Sequence, residues 1–480
     1  MGIRIARAAG AVACATLVAA TAACTSGAAA GSHAAADRTA SASPAATYDA
    51  TVNVDTSGRV LGTTSDHLEG LSFESKRLNS GRFDDTGNLP ALLRNLGSSV
   101  IRFGGNSVDT SYHGITPRAL AGLASLARAS GWTVLYSEPL AHFDAAAVTH
   151  DAHSVATALG GRLAGFACGN EPDLYHVNGL RSPSYTEDAY LHQVAQCFSA
   201  IRAGAPGAML EGPDFSGALD WLGRYAAAER GTIGWLGEHE YPLGCEVEGV
   251  PPQRLAAELL SVSLTAREDS FFGTVAAAAR SAGASARLTE TNSTCDGGGD
   301  GVSNTFATAL WVVEYLLNGA EHGIDGMNFH GGLTGGDCEY YTPLCRTSGN
   351  DYAPQPIYYG MLFAHMLGDG QLVPVTASAA SPLNLQAFAL RPQGGGLRVM
   401  LENLSPYRAS VKAEAGGTSA TALSMTAPSL LATYGVRIGG AVVGADGTLT
   451  TGPPAPVACP RGTCQLTLAP YSATLLTVRG

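Results

Sequence analysis

Lysine is nearly absent from this chain of 480 residues, occurring at positions 76 and 412 alone. No basic run extends beyond Lys76-Arg77, and the formal net charge is −12. Nucleic acids and highly sulfated polymers are normally held by stripes of Lys and Arg, so both are disfavoured as partners and no nucleic acid is expected. No CxxC occurs and no histidine spacing suits zinc, so no metal is expected. No glycine-rich phosphate loop opens a candidate helix, which argues against a dinucleotide and against a doubly wound open sheet. No cofactor is therefore expected. Charged residues make up 14% of the chain against 45% apolar, a balance that buries a large core and disfavours disorder. Long apolar runs are scarce as well: the Ala/Val/Leu stretch at 8–23 is too short to span a bilayer comfortably.

That stretch follows Arg4 and Arg7 and reads as an export signal over 1–24. It ends in Thr21-Ala22-Ala23-Cys24, which fits either of two readings. Small residues before Cys24 suit a lipoprotein cleavage site, and the same run suits ordinary signal cleavage. The protein is expected to be secreted or held at the cell surface, with membrane attachment only through a lipid on Cys24. Residues 25–46 are rich in Ala, Ser and Gly and read as a flexible tether. Beyond the signal stand cysteines 168, 197, 245, 295, 338, 345, 459 and 464. An even number in an exported chain implies disulfides. Cys459–Cys464 and Cys338–Cys345 would close short loops; the sequence leaves the pairing of the other four open, with 168–197 and 245–295 as the expectation.

A rhythm of short apolar runs and longer amphipathic stretches begins near residue 68. Strands are expected at 68–73, 100–103, 133–136, 164–167, 208–210, 233–238, 286–288 and 326–329. Helices are expected between them, at 89–96, 117–128, 185–202, 252–264 and 305–317. Eight strands with helical crossovers point to an α/β fold, a (β/α)8 TIM barrel over 63–368. From 369 to 480 the pattern becomes short alternating strands, at 384–390, 397–402, 433–438 and 465–468, which reads as an antiparallel β-sandwich. A strand within 47–62 is expected to join that sandwich.

Polar motifs fall just after the candidate strands, the face of a barrel that carries active sites. Asn170-Glu171-Pro172 ends the fourth strand, and Thr289-Glu290-Thr291-Asn292 ends the seventh. Glycoside hydrolysis needs one carboxylic acid to protonate the leaving oxygen and a carboxylate on the other side of the bond. Retention of configuration requires the two to stand about 5–5.5 Å apart. Residues so distant in sequence meet only if a fold joins them, as strands four and seven of a barrel can. Glu171 and Glu290 are the candidate catalytic pair.

Longer stretches resemble glycoside hydrolase family 79, the β-glucuronidase and heparanase-like group within the retaining glycosidases of clan A. They are Gly70-Leu-Ser-Phe-Glu74, Val100-Ile-Arg-Phe-Gly-Gly-Asn106-Ser-Val-Asp109, Gly169-Asn-Glu-Pro172, His239-Glu-Tyr241-Pro242, Leu288-Thr-Glu-Thr-Asn-Ser293, Met327-Asn-Phe-His330 and Pro356-Ile-Tyr-Tyr-Gly360. The resemblance implies a general acid/base at Glu171 and a nucleophile at Glu290. It implies that Asn170 donates to the sugar 2-hydroxyl and that Tyr241 hydrogen-bonds Glu290. Glu74 and Asn106 would hold sugar hydroxyls, and Tyr341 would serve a uronate carboxylate. His239 and His330 read more simply as core histidines. One departure stands out: five residues past the nucleophile, where some members carry a tyrosine, this chain has Cys295. The expected activity is release of terminal β-glucuronic acid, or its 4-O-methyl form, from a saccharide. The alternatives are a clan A β-glycosidase acting on a neutral sugar and an inactive glycan-binding lipoprotein.

Overall fold

The computed structural model describes residues 46–332 and 338–479. The expected signal, Cys24 and all of the tether but its last residue lie outside the described residues. Eight parallel strands carry the chain into a barrel: β1 (Glu69–Glu74), β2 (Val100–Gly104), β3 (Thr133–Glu138), β4 (Leu163–Cys168), β5 (Glu211–Phe215), β6 (Trp235–Glu240), β7 (Ser285–Thr291) and β8 (Ile324–His330). β1 pairs with both β2 and β8, and a bridge between Phe166 and Leu210 closes the ring between β4 and β5.

Local chemistry sets the crossovers. Thr116 accepts a hydrogen bond from the Ala119 amide and Pro117 opens the helix Pro117–Ser130, which Gly131 ends in the left-handed conformation. Asp144 caps the helix Ala145–Leu159 in the same way, through the amides of Ala146 and Ala147. The single helix expected at 252–264 is two, Pro252–Leu259 and Val262–Ala282. Ser261 caps the second by accepting from the Leu264 amide, so the chain restarts where apolar periodicity alone runs on.

The fifth strand also differs from the expectation. Residues 208–210 lead into it, and the strand proper is Glu211–Phe215. Its Glu211 and Asp214 look like solvated residues in the sequence, yet both are fully buried inside the barrel. Of the strand expected at 433–438 only Arg437–Ile438 forms, because Gly435 turns left-handed and Tyr434 is exposed.

The C-terminal part forms two sheets. The smaller has the order Val375–Ala379, Thr47–Val54, Arg408–Glu414, Thr463–Leu468. The larger runs from Arg437–Ile438 through Ser419–Thr426, Ser472–Arg479, Leu397–Asn403 and Leu385–Pro392 to Gly370–Val373 and Gly62–Thr64. Residues 63 and 64, expected to open the barrel, thus belong to this sheet. Val52, Val411, Val399, Leu401 and Leu476 share one apolar core between the sheets. The other face of the larger sheet, with Leu390, Met400 and Leu475, packs into the barrel's core. Disulfides join Cys168 to Cys197, Cys245 to Cys295, Cys338 to Cys345 and Cys459 to Cys464, the four expected pairs. No helix among the described residues is long and apolar enough to cross a membrane.

Three carboxyls lie buried where this sheet meets the barrel helices: Glu268, Glu314 on the helix Phe306–Glu321, and Glu402 on Leu397–Asn403. Trp311 Nε1 donates to Glu268 Oε1 at 3.0 Å, while neither oxygen of Glu402 has a partner. Burial pushes Glu268 up to about 7, and burial lifts Glu314 and Glu402 well above the usual carboxylate range. Such groups hold their proton in the fold and release it on unfolding. The stability they confer is present below the unfolded pKa and lost as pH rises through the folded one. Urea stability should therefore fall as pH rises from about 4.5 to about 7. Glu402→Gln should flatten that slope and raise the urea midpoint above neutral pH. A midpoint that climbs across the interval, with the variant unchanged, would contradict this.

Candidate active site

Arg102 points inward from β2 and is fully buried. Its Nη1 lies 2.6 Å from Glu290 Oε2 and 3.2 Å from Ser72 Oγ. Its Nη2 lies 2.9 Å from both Asp214 Oδ2 and Asn170 Oδ1. One guanidinium thus ties β1, β2, β5, β7 and the segment after β4. The two glycines after it make this possible. A Cβ on Gly104 would stand 2.6 Å from the Arg102 guanidinium. A Cβ on Gly105, which is left-handed, would stand 2.7 Å from the Glu74 carboxyl. Glu74 Oε2 in turn accepts from the Ser107 amide at 2.8 Å.

Asp109 secures the segment that carries Glu171. Its carboxylate accepts from the amides of Leu140, Ala141 and Asn170 and from Tyr175 Oη. Glu171 itself adopts a left-handed backbone with φ 49°, a costly state for a non-glycine residue. Its amide donates to the Asp214 carbonyl at 2.9 Å, which holds it there.

Glu171 and Glu290 meet across a cleft of about 590 Å³ at the C-terminal ends of the strands. Their carboxylate oxygens and a ring nitrogen of His239 lie within 4.8 Å of one another. His239 Nδ1 stands 3.0 Å from Glu171 Oε1, and its Nε2 stands 3.4 Å from Asp214 Oδ1. Tyr241 Oη donates to Glu290 Oε1 at 2.7 Å, and His330 Nδ1 stands 3.3 Å from Glu290 Oε2. The core reading of the two histidines is thus incomplete: both are buried, and each touches one of the glutamates.

The electrostatics separate Glu290 from an ordinary buried acid. Burial would raise its pKa, but His330, His239, Arg102 and the Tyr241 hydrogen bond bring it down to about 2. Burial and Arg102 press His239 toward neutrality, yet Glu290 and Asp214 outweigh them and lift it to about 10. Asp214 is held low against burial by Arg102 and His239, and Thr289 Oγ1 also donates to it. Glu171, His239 and Glu290 have metal-ligating spacing. In this site, however, a protonated imidazole and a guanidinium already supply the positive charge. Cys245 and Cys295 are joined to each other and offer no thiolate.

Of the other candidate residues, Glu74, Asn106, Tyr241 and Tyr341 line the cleft. Asn170 does not; it lies beneath, with Oδ1 on Arg102 and Nδ2 3.3 Å from Asn106 Oδ1. Asn292 holds the Tyr341 segment through Nδ2 bonds to the carbonyls of His330 and Tyr341. Arg102, Asp109 and Asp214 were not singled out from the sequence. A signal existed for Arg102, a lone cation inside the apolar run Val100-Ile101-Arg102-Phe103.

No protein-family model matches the chain. It is 31% identical over 266 residues to a β-glucuronidase of Aspergillus niger, covering 52% of this chain and 49% of that protein. It is 27% identical over 321 residues to a β-glucuronidase of Neurospora crassa, covering 60% and 54%. The chain thus spans about half the length of the curated relatives it matches. In structure it is similar to a 4-O-α-L-rhamnosyl-β-D-glucuronidase from Fusarium oxysporum, with a TM-score of 0.73 at 21% identity, covering 89% of this chain and 100% of that one. A family 51 α-L-arabinofuranosidase from Bifidobacterium longum gives a TM-score of 0.66 at 13% identity, covering 90% and 100%.

Removing Arg102 leaves two buried carboxylates without their shared cation. Arg102→Met should lower the unfolding free energy by about 3–5 kcal/mol in urea titrations. Near-native stability would show that the cluster does not depend on the guanidinium. The chain is distantly similar in sequence to β-glucuronidases over about half its length, and its fold is an eight-stranded α/β barrel with a β-domain.

Proposed function

We propose that the protein is a retaining glycoside hydrolase that releases terminal β-glucuronic acid, or its 4-O-methyl form, from saccharides. The observation that carries this reading is the spacing of Glu171 and Glu290, whose oxygens approach within 4.8 Å in one cleft. A separation of that order favours direct attack over an intervening water, which calls for carboxyls about 6.5–9.5 Å apart. Glu290, ionised and buried, attacks the anomeric carbon. Glu171 gives a proton to the leaving oxygen, and the bond to the leaving group breaks as the glycosyl-enzyme forms. Glu171, now a carboxylate, takes a proton from water, which displaces the sugar from Glu290. Asn106 and Glu74 are assigned to sugar hydroxyls, and Asn170 to holding Asn106 and Arg102.

The uronate assignment rests on the relatives' activity and on Tyr341, which lines the cleft beside His330. One observation favours a neutral sugar instead: the cleft is lined by Glu74, Asp296 and Glu339, and by no Lys or Arg among the described residues. The four disulfides support an exported enzyme. A lipid on Cys24 would keep it at the cell surface.

A panel of p-nitrophenyl β-glycosides decides between the sugars. Turnover of the glucuronide above the glucoside, galactoside and xyloside is expected; cleavage of a neutral glycoside alone would overturn the uronate reading. Glu290→Gln should lose turnover on every substrate. Glu171→Ala should hurt poor leaving groups most, since good ones need no proton to depart, and azide should partly rescue the slowed second step by giving a β-glycosyl azide. Normal turnover by Glu290→Gln would refute the assignment of the nucleophile.

A further inference from the structure

A second cavity of about 620 Å³ lies under the segments that follow β2 and β3. It shares no lining residue with the glutamate cleft. Its size falls within the range of small-molecule sites, about 300–1,000 Å³. Val108, Ile115, Leu120 and Val148 supply apolar wall, and no Lys or Arg lines it among the described residues. Thr110 and His113, at its edge, are exposed to solvent.

Glu138, the last residue of β3, lines this cavity while being 1% exposed, and its Oε1 has no hydrogen-bond partner. Asp151 lines it too and accepts from Tyr136 Oη at 2.6 Å. Tyr112 Oη pairs with the same Tyr136 hydroxyl, so one hydroxyl chain runs along the wall to Asp151. Burial, and then the charge of Asp151, push Glu138 well above the usual carboxylate range. A buried carboxyl oxygen without a donor is costly, and this one gains most from a group that brings both donors and positive charge. Neither the glutamate mechanism nor the packing of the barrel uses that oxygen.

We propose that this cavity binds an organic ammonium ion with an apolar body, the ammonium on Glu138 and Asp151 and the body against Ile115, Leu120 and Val148. A bare metal ion fits less well. The two groups of carboxylate, thiol or imidazole atoms close enough to share one ion both lie at the glutamate cleft among the described residues. A neutral alcohol would supply one donor and no charge. An anionic ligand would meet the carboxyls of Glu138 and Asp151 with no Lys or Arg among the described residues on the wall to pair with it.

Isothermal titration of the full chain with 4-phenylbutylamine at neutral pH tests this, with 4-phenylbutanol and 4-phenylbutyrate as isosteres. One amine should bind per chain, more tightly than the alcohol, and the carboxylate should bind least. Glu138→Gln should weaken the amine roughly 10- to 100-fold. Ile115→Trp, which puts an indole in the space assigned to the apolar body and leaves both acids in the sequence, should weaken binding by roughly 10-fold or more. Glu290→Gln should leave it unchanged, which separates this site from the glycoside cleft. Absent binding, equal affinity for amine and alcohol, or a Glu138→Gln chain that binds as well as the unaltered one would overturn the proposal. Loss of binding in Glu290→Gln would do the same. If Glu138→Gln does not fold, the ranking of the three isosteres and Ile115→Trp still decide it.

Discussion

The guanidinium of Arg102 is the point on which the site depends. It is fully buried and shared between Glu290 and Asp214, with Ser72 also on Nη1 and Asn170 also on Nη2. A lone buried cation would be very costly, and so would either carboxylate without it. Together they fix the relative positions of five places around the barrel. The same charge contributes to keeping Glu290 ionised despite its burial. Structural and chemical roles therefore fall on one side chain, and Gly104 and Gly105 follow from it, because any Cβ there would collide with Arg102 or Glu74.

Around this cation the remaining charges alternate. His239, raised to about 10, stands between Glu171 and Asp214, so the acid/base candidate and the buried aspartate communicate through one imidazole. Tyr241 and His330 take the two oxygens of Glu290. Glu171 has a looser setting, with one oxygen on His239 and a left-handed backbone pinned by the Asp214 carbonyl. Two carboxyls in one cleft thus meet different surroundings, which is what separates an attacking carboxylate from a proton donor.

The barrel was readable because most of its strands are apolar runs that stop abruptly at polar residues. β2, β3 and β4 all do so. β5 differs for the opposite reason: Glu211 and Asp214 interrupt the apolar pattern, and nothing local shows that the partners of Asp214 arrive from β2, β6 and β7. The same holds for Arg102, inside β2. A charge on a strand reads as solvated until the opposing strands are in place, whereas Glu171 and Glu290 stand out by following the apolar runs that mark the expected strands, although Glu290 falls inside β7. The histidines were underestimated because imidazoles in the core are common and their contacts with the glutamates exist only in three dimensions. The two short-loop disulfides are legible from sequence separation, whereas the pairing of Cys168, Cys197, Cys245 and Cys295, which allow three connectivities, is fixed by the fold.

The central claim is that Glu290 forms a covalent bond to the sugar. A 2-deoxy-2-fluoro-β-glucuronyl fluoride slows the second displacement and traps that bond. Incubation with this reagent, digestion and peptide mass spectrometry should find the fluoro-sugar on the peptide bearing Glu290, with activity lost in step with labelling. A label on Glu171, or full inactivation with no covalent adduct on either glutamate, would contradict the account.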